Sequence, residues 1–233
     1  MGLGYLFAIF IILIVVLSVL RQKLVYEISG TSLLMLGSTR PGVIFYSLIF
    51  LPGTILHELS HWIVAEILQV RTGEITIFPD FEGRGESQRL GSVATARSDP
   101  FRGFLIGVAP FITGLLSLII LGRLLEVGWG VSPFWQVALI IYGIMVISNS
   151  MMISKEDRRT WPFIVLFLTL IIVLVVKYYP DILLDDSKFV SSALSRLNLV
   201  LGVTAGFNLV MIGGSYSLRR LIEKLTNKRI TRR

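Results

Sequence analysis

Long apolar runs restrict this chain to very few folds. A bilayer core about 30 Å thick requires roughly 20 apolar residues when a helix rises 1.5 Å per residue. With 54% hydrophobic and only 16% charged residues, the chain resembles neither an ordinary soluble domain nor a disordered one. Six windows meet or approach the required length: Leu3–Leu20, Val43–Leu68, Gly103–Leu125, Pro133–Ile153, Trp161–Tyr179 and Leu197–Leu218.

These runs predict an all-α polytopic membrane protein with about six transmembrane helices. We expect one transmembrane domain over residues 1–233, with its core at 43–157. The first window has no basic segment before it and no small-residue cleavage site, so it is interpreted as a retained span. Accessory helices and a basic tail complete the domain, at 3–20, 161–179, 197–218 and 219–233.

The distribution of basic residues predicts the orientation in the membrane. With six spans, the side that holds both termini carries 15 of the 22 Lys and Arg residues, and the opposite side carries 7. The positive-inside rule therefore places both termini in the cytoplasm, although Arg21, Lys23 and Arg40 then fall on the outer side. The basic tail favours contact with the anionic lipid bilayer, and no nucleic-acid partner is expected.

A small β-hairpin is expected between the second and third spans, at the cytoplasmic face. Residues Glu74–Ile77 alternate polar and apolar side chains, as a half-buried strand does. Leu90–Ala96 is a second candidate strand, and Pro79, Gly83 and Gly85 supply turn residues between the two.

The second window contains His57-Glu58-Leu59-Ser60-His61, an HExxH motif on an apolar helix. At 3.6 residues per turn, His57 and His61 project from one face and can share a metal ion, with Glu58 beside them. Each ionisable group at bilayer depth costs at least about 2.5 kcal/mol, and a bound metal compensates that cost. The motif therefore predicts a Zn²⁺ site in which Glu58 acts as the general base.

A catalytic zinc usually has three protein ligands, so one is missing from the motif. The chain has no cysteine and no third histidine, which leaves a carboxylate. Glu66 lies about half a turn off the His57 face, and the acidic residues between the second and third spans are expected to be solvated. Asp157 and Glu156 follow the fourth span, at the depth of the two histidines, and geometry alone leaves the choice between them open.

Residues from Leu51 to Asp157 resemble the site-2 protease family of intramembrane zinc metalloproteases, and HExxH is the specific part of the likeness. In that family a small membrane-associated sheet and two further core helices follow the HExxH helix. The last of these helices carries a zinc-binding Asp with an Asn eight residues before it. Asn149 and Asp157 stand at that spacing.

Two further comparisons with the family are visible in the sequence. The segment Gly107-Val-Ala-Pro110 partly matches a family Ala-Gly-Pro motif. Lys155, Glu156 and Arg158 stand where the family has prolines and a glycine around the zinc-binding Asp.

The resemblance implies a function and a role for each matched residue. It implies His57, His61 and Asp157 as zinc ligands, Glu58 as the base, and Asn149 as a clamp on the substrate backbone. The expected activity is hydrolysis of a peptide bond in or near the transmembrane segment of a membrane-protein substrate. The expected cofactor is Zn²⁺.

The second candidate strand provides a hypothesis for how such a substrate binds. Helical carbonyls are already hydrogen-bonded, so a substrate helix must unwind before it can reach a metal. An edge strand can hold the unwound segment through backbone hydrogen bonds. Its small alternating residues assign this task to Leu90–Ala96, with Ser92, Val93 and Ala94 at its centre.

Two other functions are also consistent with much of the sequence. A catalytically inactive metal-binding scaffold or membrane chaperone is consistent with it if Asp157 is not a ligand. A zincin-type protease cutting at the membrane surface would more often use a Glu ligand from a second helical motif, which is not found. A transporter is disfavoured because the other spans carry few charges away from their ends.

Overall fold

The computed structural model describes residues 3–78, 91–96, 98–152 and 187–226, which are mostly helical. The predicted helical membrane architecture with a small sheet is confirmed in this outline, while the predicted span Trp161–Tyr179 lies outside the described residues. The elements follow in the order α1 (Leu3–Leu36), α2 (Arg40–Ile49), α3 (Leu51–Ile67), β1 (Thr72–Thr76), β2 (Ser92–Thr95), α4 (Pro100–Gly128), α5 (Phe134–Ser150) and α6 (Ser187–Thr226).

Three of the described helices, α1, α4 and α6, are long and apolar enough to cross a membrane. Helix α5 is apolar but has only 17 residues, and α2 with α3 reaches the required length only as a bent pair. The described part of the chain therefore contains three helices of spanning length, or four with the bent pair. The predicted number of six spans is only partly matched.

Helix α1 is longer than its apolar window. It continues past Leu20 through Arg21 and Lys23 and ends only at Leu36, because charged residues do not break a helix. Gly37 follows with a φ of +71°, the left-handed conformation that commonly terminates helices.

The second apolar window, Val43–Leu68, consists of two helices with a break between them, where one helix was expected. The chain bends by 76° at Phe50, which ends α2 and begins α3. Pro52 explains the break, because it has no N–H to donate to the carbonyl of Leu48 and its ring clashes with that carbonyl in a continuous helix.

Hydrogen bonds establish the directions of the helices. Asn198 on α6 donates to the Leu6 carbonyl of α1, and 21 residues further along both helices Arg219 pairs with Glu27, so α1 and α6 run parallel. Helix α5 runs antiparallel to α4, because Gly143 lies against Leu121 and Met151 against Gly114. Since α4 is antiparallel to α6, α5 runs parallel to α6.

Helix α4 runs opposite to these three helices. Glu126 near its end pairs with Arg196 near the start of α6, while Gly122 lies against Val200. Helix α1 therefore ends at the same end of the bundle at which α4 begins. The bent pair α2–α3 between them enters and leaves at that end.

Two apolar clusters stabilise this arrangement. The larger one joins α1, α2, α4, α5 and α6 around fully buried side chains such as Leu17, Tyr46, Leu118 and Leu201. The smaller one packs Ala65 at the end of α3 and Val70 against Ile106 of α4. Because Ile106 belongs to the smaller cluster, the end of the HExxH helix is fixed to the first turns of α4.

A buried ion pair adds to the contact between α1 and α6. Arg219 Nε lies 2.7 Å from Glu27 Oε2, and Arg219 Nη1 lies 2.6 Å from Glu223 Oε1. Glu27 is 3% exposed and Arg219 is 9% exposed. Each charge is thus compensated by the other, as burial of an ionised group requires.

Strands β1 and β2 form an antiparallel hairpin between α3 and α4, which confirms the predicted strands at Glu74–Ile77 and Leu90–Ala96 to within two residues. The register pairs Thr72 with Thr95 and Ile75 with Val93, with an irregularity in β1 between those two pairs.

Candidate metal centre

The HExxH residues lie on α3, where the sequence places them. The rings of His57 and His61 face each other edge to face, with centroids 4.9 Å apart and planes at 82°. A tetrahedral metal about 2.0–2.1 Å from one nitrogen of each ring would hold the centroids roughly 5 Å apart. The two imidazoles are therefore already at a spacing that suits one shared ion.

Burial sets the electrostatic character of this site. Glu58 is 6% exposed and His61 is 7% exposed, while His57 is half-buried. In such surroundings a carboxylate and two imidazoles interact more strongly than they would in water. Two imidazoles are part of ligand sets that zinc uses in hydrolytic sites, in which a third protein ligand completes the set.

A backbone carbonyl from the neighbouring helix orients His61. Its Nδ1 lies 2.8 Å from the carbonyl oxygen of Ile106 on α4. A carbonyl oxygen only accepts hydrogen bonds, so Nδ1 carries the proton and donates it. Nε2 then keeps its lone pair, which is the state in which an imidazole binds a metal.

The start of β2 lies directly over Glu58. A Cβ at Gly91 would stand 2.9 Å from Glu58 Oε1 and 3.0 Å from Thr54 Cγ2, closer than a side chain tolerates without displacing its neighbours. Only glycine allows the backbone to approach the carboxylate this closely. The strand that the sequence assigns to substrate binding therefore begins beside the carboxylate of Glu58.

The predicted substrate-binding residues follow Gly91 along β2. Ser92 pairs with Thr76 and Val93 with Ile75, while Ala94 Cβ lies near Gly73 of β1. The amide of Ala96, just after β2, donates to the carbonyl of Arg71, just before β1. Because N–H groups alternate along a strand, the N–H of Val93 points away from β1, toward the other edge of β2.

Helix α5 packs against the first turn of α3. A Cβ at Gly53 would lie 2.7 Å from the Val146 carbonyl oxygen and would collide with the Ser150 side chain. Gly53 precedes His57 by about one helical turn, roughly 6 Å. The end of α5 is thereby held about one helical turn from His57.

Asn149, the predicted substrate clamp, lies in this last turn of α5 and is fully buried. Its side chain exchanges hydrogen bonds with Asn208 of α6 and also donates to the Met145 carbonyl. The structure thus places Asn149 near the first turn of α3, and its side-chain amide is hydrogen-bonded to α6.

The third zinc ligand is not located by the structure. Asp157 and Glu156 both lie outside the described residues, and within the described residues no three His, Asp or Glu side chains form a group that could hold a metal. Glu66 accepts a hydrogen bond from Thr72 Oγ1 at 2.7 Å, beyond the end of the motif, as expected for a residue that does not join it.

Asp99 fixes the start of the helix that carries Ile106. Its carboxylate accepts hydrogen bonds from the backbone N–H groups of Arg102 and Phe101, at 3.0 and 3.1 Å. The bond from the Arg102 amide, together with the charge of the Arg102 guanidinium, lowers the pKa of Asp99 below its ordinary value. The first turn of α4 is therefore capped at neutral pH.

Two features of the site are absent from the sequence analysis. Ile106 contributes a backbone oxygen, which any residue type could supply. Gly91, just before β2, matters because it has no side chain. Neither has a signature in residue type alone. A proline four residues after Ile106 was the available signal for the first of them.

In comparisons with protein-family models, curated proteins and solved structures, nothing matches this chain. Its function is therefore argued from the chemistry of the site.

Proposed function

We propose that this protein is a membrane-embedded zinc metalloprotease of the site-2 protease type, which cleaves a membrane-protein substrate in or near its transmembrane segment. The observation that supports it best is the orientation of His61. A buried imidazole whose Nδ1 donates to a carbonyl, next to a second imidazole and a buried carboxylate, is arranged as a metal ligand is.

Each residue of the motif has a distinct role in this proposal. Zinc, when bound, polarises a peptide carbonyl and acidifies a water ligand. His57 and His61 hold the ion through ring nitrogens. Glu58 accepts the proton of the attacking water and passes it to the nitrogen of the leaving amine, so that its carboxylate is regenerated after each cleavage.

Asp157 is proposed as the third ligand. Ser150 contacts Gly53, which lies one turn before His57, and Asp157 follows Ser150 by seven residues. Seven residues span at most about 25 Å, which is ample for a return to the histidines. Glu156 is the alternative carboxylate within the same reach.

Strand β2 is proposed to receive the unwound substrate. Gly91, the residue before β2, lies at Glu58, and the N–H of Val93 points to the edge that β1 does not use. A substrate strand added at that edge would run past the general base. This arrangement explains why a hairpin is inserted directly between the HExxH helix and α4.

The directions of the helices support a topology different from the predicted one. If α1, α4, α5 and α6 all cross the membrane, the parallel course of α1 and α6 places the two termini on opposite sides, and α2–α3 becomes a re-entrant pair. Arg21, Lys23 and Arg40 then move to the basic side, so that 18 of the 22 basic residues lie there instead of 15. We propose this topology, with only the C-terminus in the cytoplasm.

Metal content provides the test of the proposed activity. Protein purified in detergent without chelators is expected to hold about one zinc per chain, and Asp157→Ala is expected to hold much less. Glu74→Gln, which alters an exposed carboxylate of the hairpin, is the matched control and is expected to keep its zinc. Zinc retained in Asp157→Ala would transfer the third ligand to Glu156, and a wild type without zinc would overturn the proposed zinc protease.

Glu58→Gln separates metal binding from catalysis. Single-pass membrane proteins are reconstituted with the wild type in a panel, and those cleaved serve as substrates. The variant is expected to bind zinc as the wild type does and to cleave none of them, because the amide cannot accept the proton. Cleavage by the variant would remove Glu58 from the mechanism.

A further inference from the structure

We propose that Pro110 is a positioning residue for the metal centre, because it frees the Ile106 carbonyl to orient His61. This inference rests on the proposed function, since it concerns the readiness of His61 to bind a metal. It assigns a task to a proline within α4 that contributes no functional group of its own.

The argument begins with the hydrogen-bond pattern of a helix. Each N–H donates to the carbonyl four residues earlier, so the natural donor for the Ile106 carbonyl is the N–H of residue 110. Residue 110 is proline, which has no N–H, and its ring pushes against the carbonyl at that same position. The Ile106 oxygen is therefore deprived of its usual helical partner.

A carbonyl released in this way in a buried position needs another donor. Ile106 is 7% exposed and Pro110 is also buried, so water is largely excluded from them. His61 Nδ1 takes the place of the missing donor at 2.8 Å. An unsatisfied carbonyl in such surroundings is destabilising, and the bond from His61 avoids that cost.

The pairing has a consequence for the metal. A neutral imidazole can carry its proton on either nitrogen, and a hydrogen bond from one nitrogen selects the tautomer. The Ile106 carbonyl selects the proton on Nδ1 and leaves Nε2 unprotonated before any metal arrives. Pro110 thus prepares His61 as a ligand, from a different helix and 49 positions further along the sequence.

The test observes His61 directly, in the metal-free protein. The chain has only two histidines, so ¹⁵N-histidine labelling yields four ring-nitrogen signals. In the wild type, His61 is expected to show a single tautomer with protonated Nδ1. In Pro110→Ala, the restored N–H competes for the Ile106 carbonyl, and a mixture of tautomers is expected.

Pro100→Ala is the matched control. Pro100 belongs to the same helix but lies in its first turn, where an N–H has no helical acceptor, so this substitution returns no hydrogen bond to α4. The His61 tautomer is expected to remain as in the wild type. A mixture in both variants would show that any loss of proline from α4 disturbs His61 and would overturn the proposal.

Metal affinity provides a second measurement. Pro110→Ala is expected to bind Co²⁺, followed by its visible absorption, about 10- to 100-fold more weakly than the wild type or Pro100→Ala, the effect typical of losing a partner behind a metal ligand. If Pro110→Ala does not fold, the wild-type spectrum still tests the bond between His61 and the Ile106 carbonyl on which the proposal depends. Wild-type His61 without a protonated Nδ1 overturns the role of Pro110, whereas protonated Nδ1 in a protein that cleaves nothing contradicts only the proposed protease.

Discussion

Asn149 of α5 and Asn208 of α6 donate hydrogen bonds to each other through their side-chain amides. Asn208 Nδ2 lies 2.8 Å from Asn149 Oδ1, and Asn149 Nδ2 lies 3.3 Å from Asn208 Oδ1. Both side chains are fully buried, and one turn away Thr204 donates to Ser148 at 3.2 Å. These bonds join α5 to α6 beside the turn that packs against Gly53.

Alanine substitutions of Asn149 and Asn208 test whether these amides connect α5 to α6 or whether Asn149 binds the substrate. Asn149→Ala and Asn208→Ala each leave one buried amide unsatisfied, so each is expected to lower the free energy of unfolding by about 1–3 kcal/mol. The double variant is expected to lose less than the sum of the two, because no orphaned amide remains. Unfolding by SDS in mixed micelles measures all three.

Cleavage assays of the same variants test the role that the resemblance assigns to Asn149. If the amide acts through its bond to Asn208, the two single variants are expected to lose activity to the same extent. Asn149→Ala that abolishes cleavage while Asn208→Ala preserves it would show that Asn149 binds the substrate itself.

Gly91→Ala is expected to reduce cleavage at least tenfold while leaving zinc content unchanged. The added methyl group would stand 2.9 Å from Glu58 Oε1, so the proposed general base is expected to shift. The two histidines are expected to stay in place. A tenfold loss corresponds to about 1.4 kcal/mol of transition-state stabilisation, a modest cost for a displaced base. Initial cleavage rates test the loss of activity, and zinc analysis of the same preparation tests that the metal content is unchanged.

Gly73→Ala is the control for Gly91→Ala. The methyl group added at Gly73 would crowd the same hairpin, 3.1 Å from Ala94 Cβ. Glu58 is not among the neighbours of that methyl group. Equal losses in the two variants would attribute the effect to the hairpin as a whole and would contradict a specific role for the contact with Glu58.

A proline at Val93 tests the free edge of β2. Because the N–H of Val93 points away from β1, Val93→Pro removes a donor from that edge without removing one from the hairpin, a position at which strands tolerate proline. Cleavage is expected to slow at least tenfold with zinc retained. Val93→Ala, which keeps the N–H and shortens the side chain, is the comparison, and equal rates in the two variants would end the strand-addition hypothesis.

Single cysteines test the proposed topology, and the natural chain has none to interfere. Leu36→Cys, Val131→Cys and Thr226→Cys place thiols at three exposed positions. With α2–α3 re-entrant, Leu36 and Thr226 share the cytoplasmic side and Val131 lies opposite. A membrane-impermeant maleimide applied to intact cells is then expected to label Val131→Cys alone. Labelling of Leu36→Cys together with Val131→Cys would restore the six-span topology.

Apolar length and strand alternation were sufficient to predict most helices and both strands. Those signals depend on local composition, and α4 and the hairpin depart from prediction by only a few residues. The break at Phe50 was missed because hydropathy stays high across it, although Pro52 marks the position at which a helical bond is lost. A window of apolar residues indicates the length of an apolar segment and does not show whether the helix axis bends within it.

In the candidate site as well, some features could be predicted from the sequence and others could not. His57, Glu58 and His61 were predictable because their side chains and spacing carry the chemistry. The partner of His61 was not, because it is a backbone oxygen on a helix 45 residues away whose approach depends on how α3 and α4 pack. Likewise, the amide of Asn149 could be assigned a role from spacing, but its bond to Asn208 depends on the parallel packing of α5 and α6.

The ion pair between Glu27 and Arg219 also dictates an order of events during biosynthesis. The two residues are 192 positions apart, so a ribosome adding about 5–20 residues per second delivers the arginine roughly 10–40 s after the glutamate. Throughout that interval the first helix holds a carboxylate whose eventual counter-charge has not been made. The contact between α1 and α6 can form only when α6 arrives, and a nascent chain released early leaves that acidic group without its counter-charge.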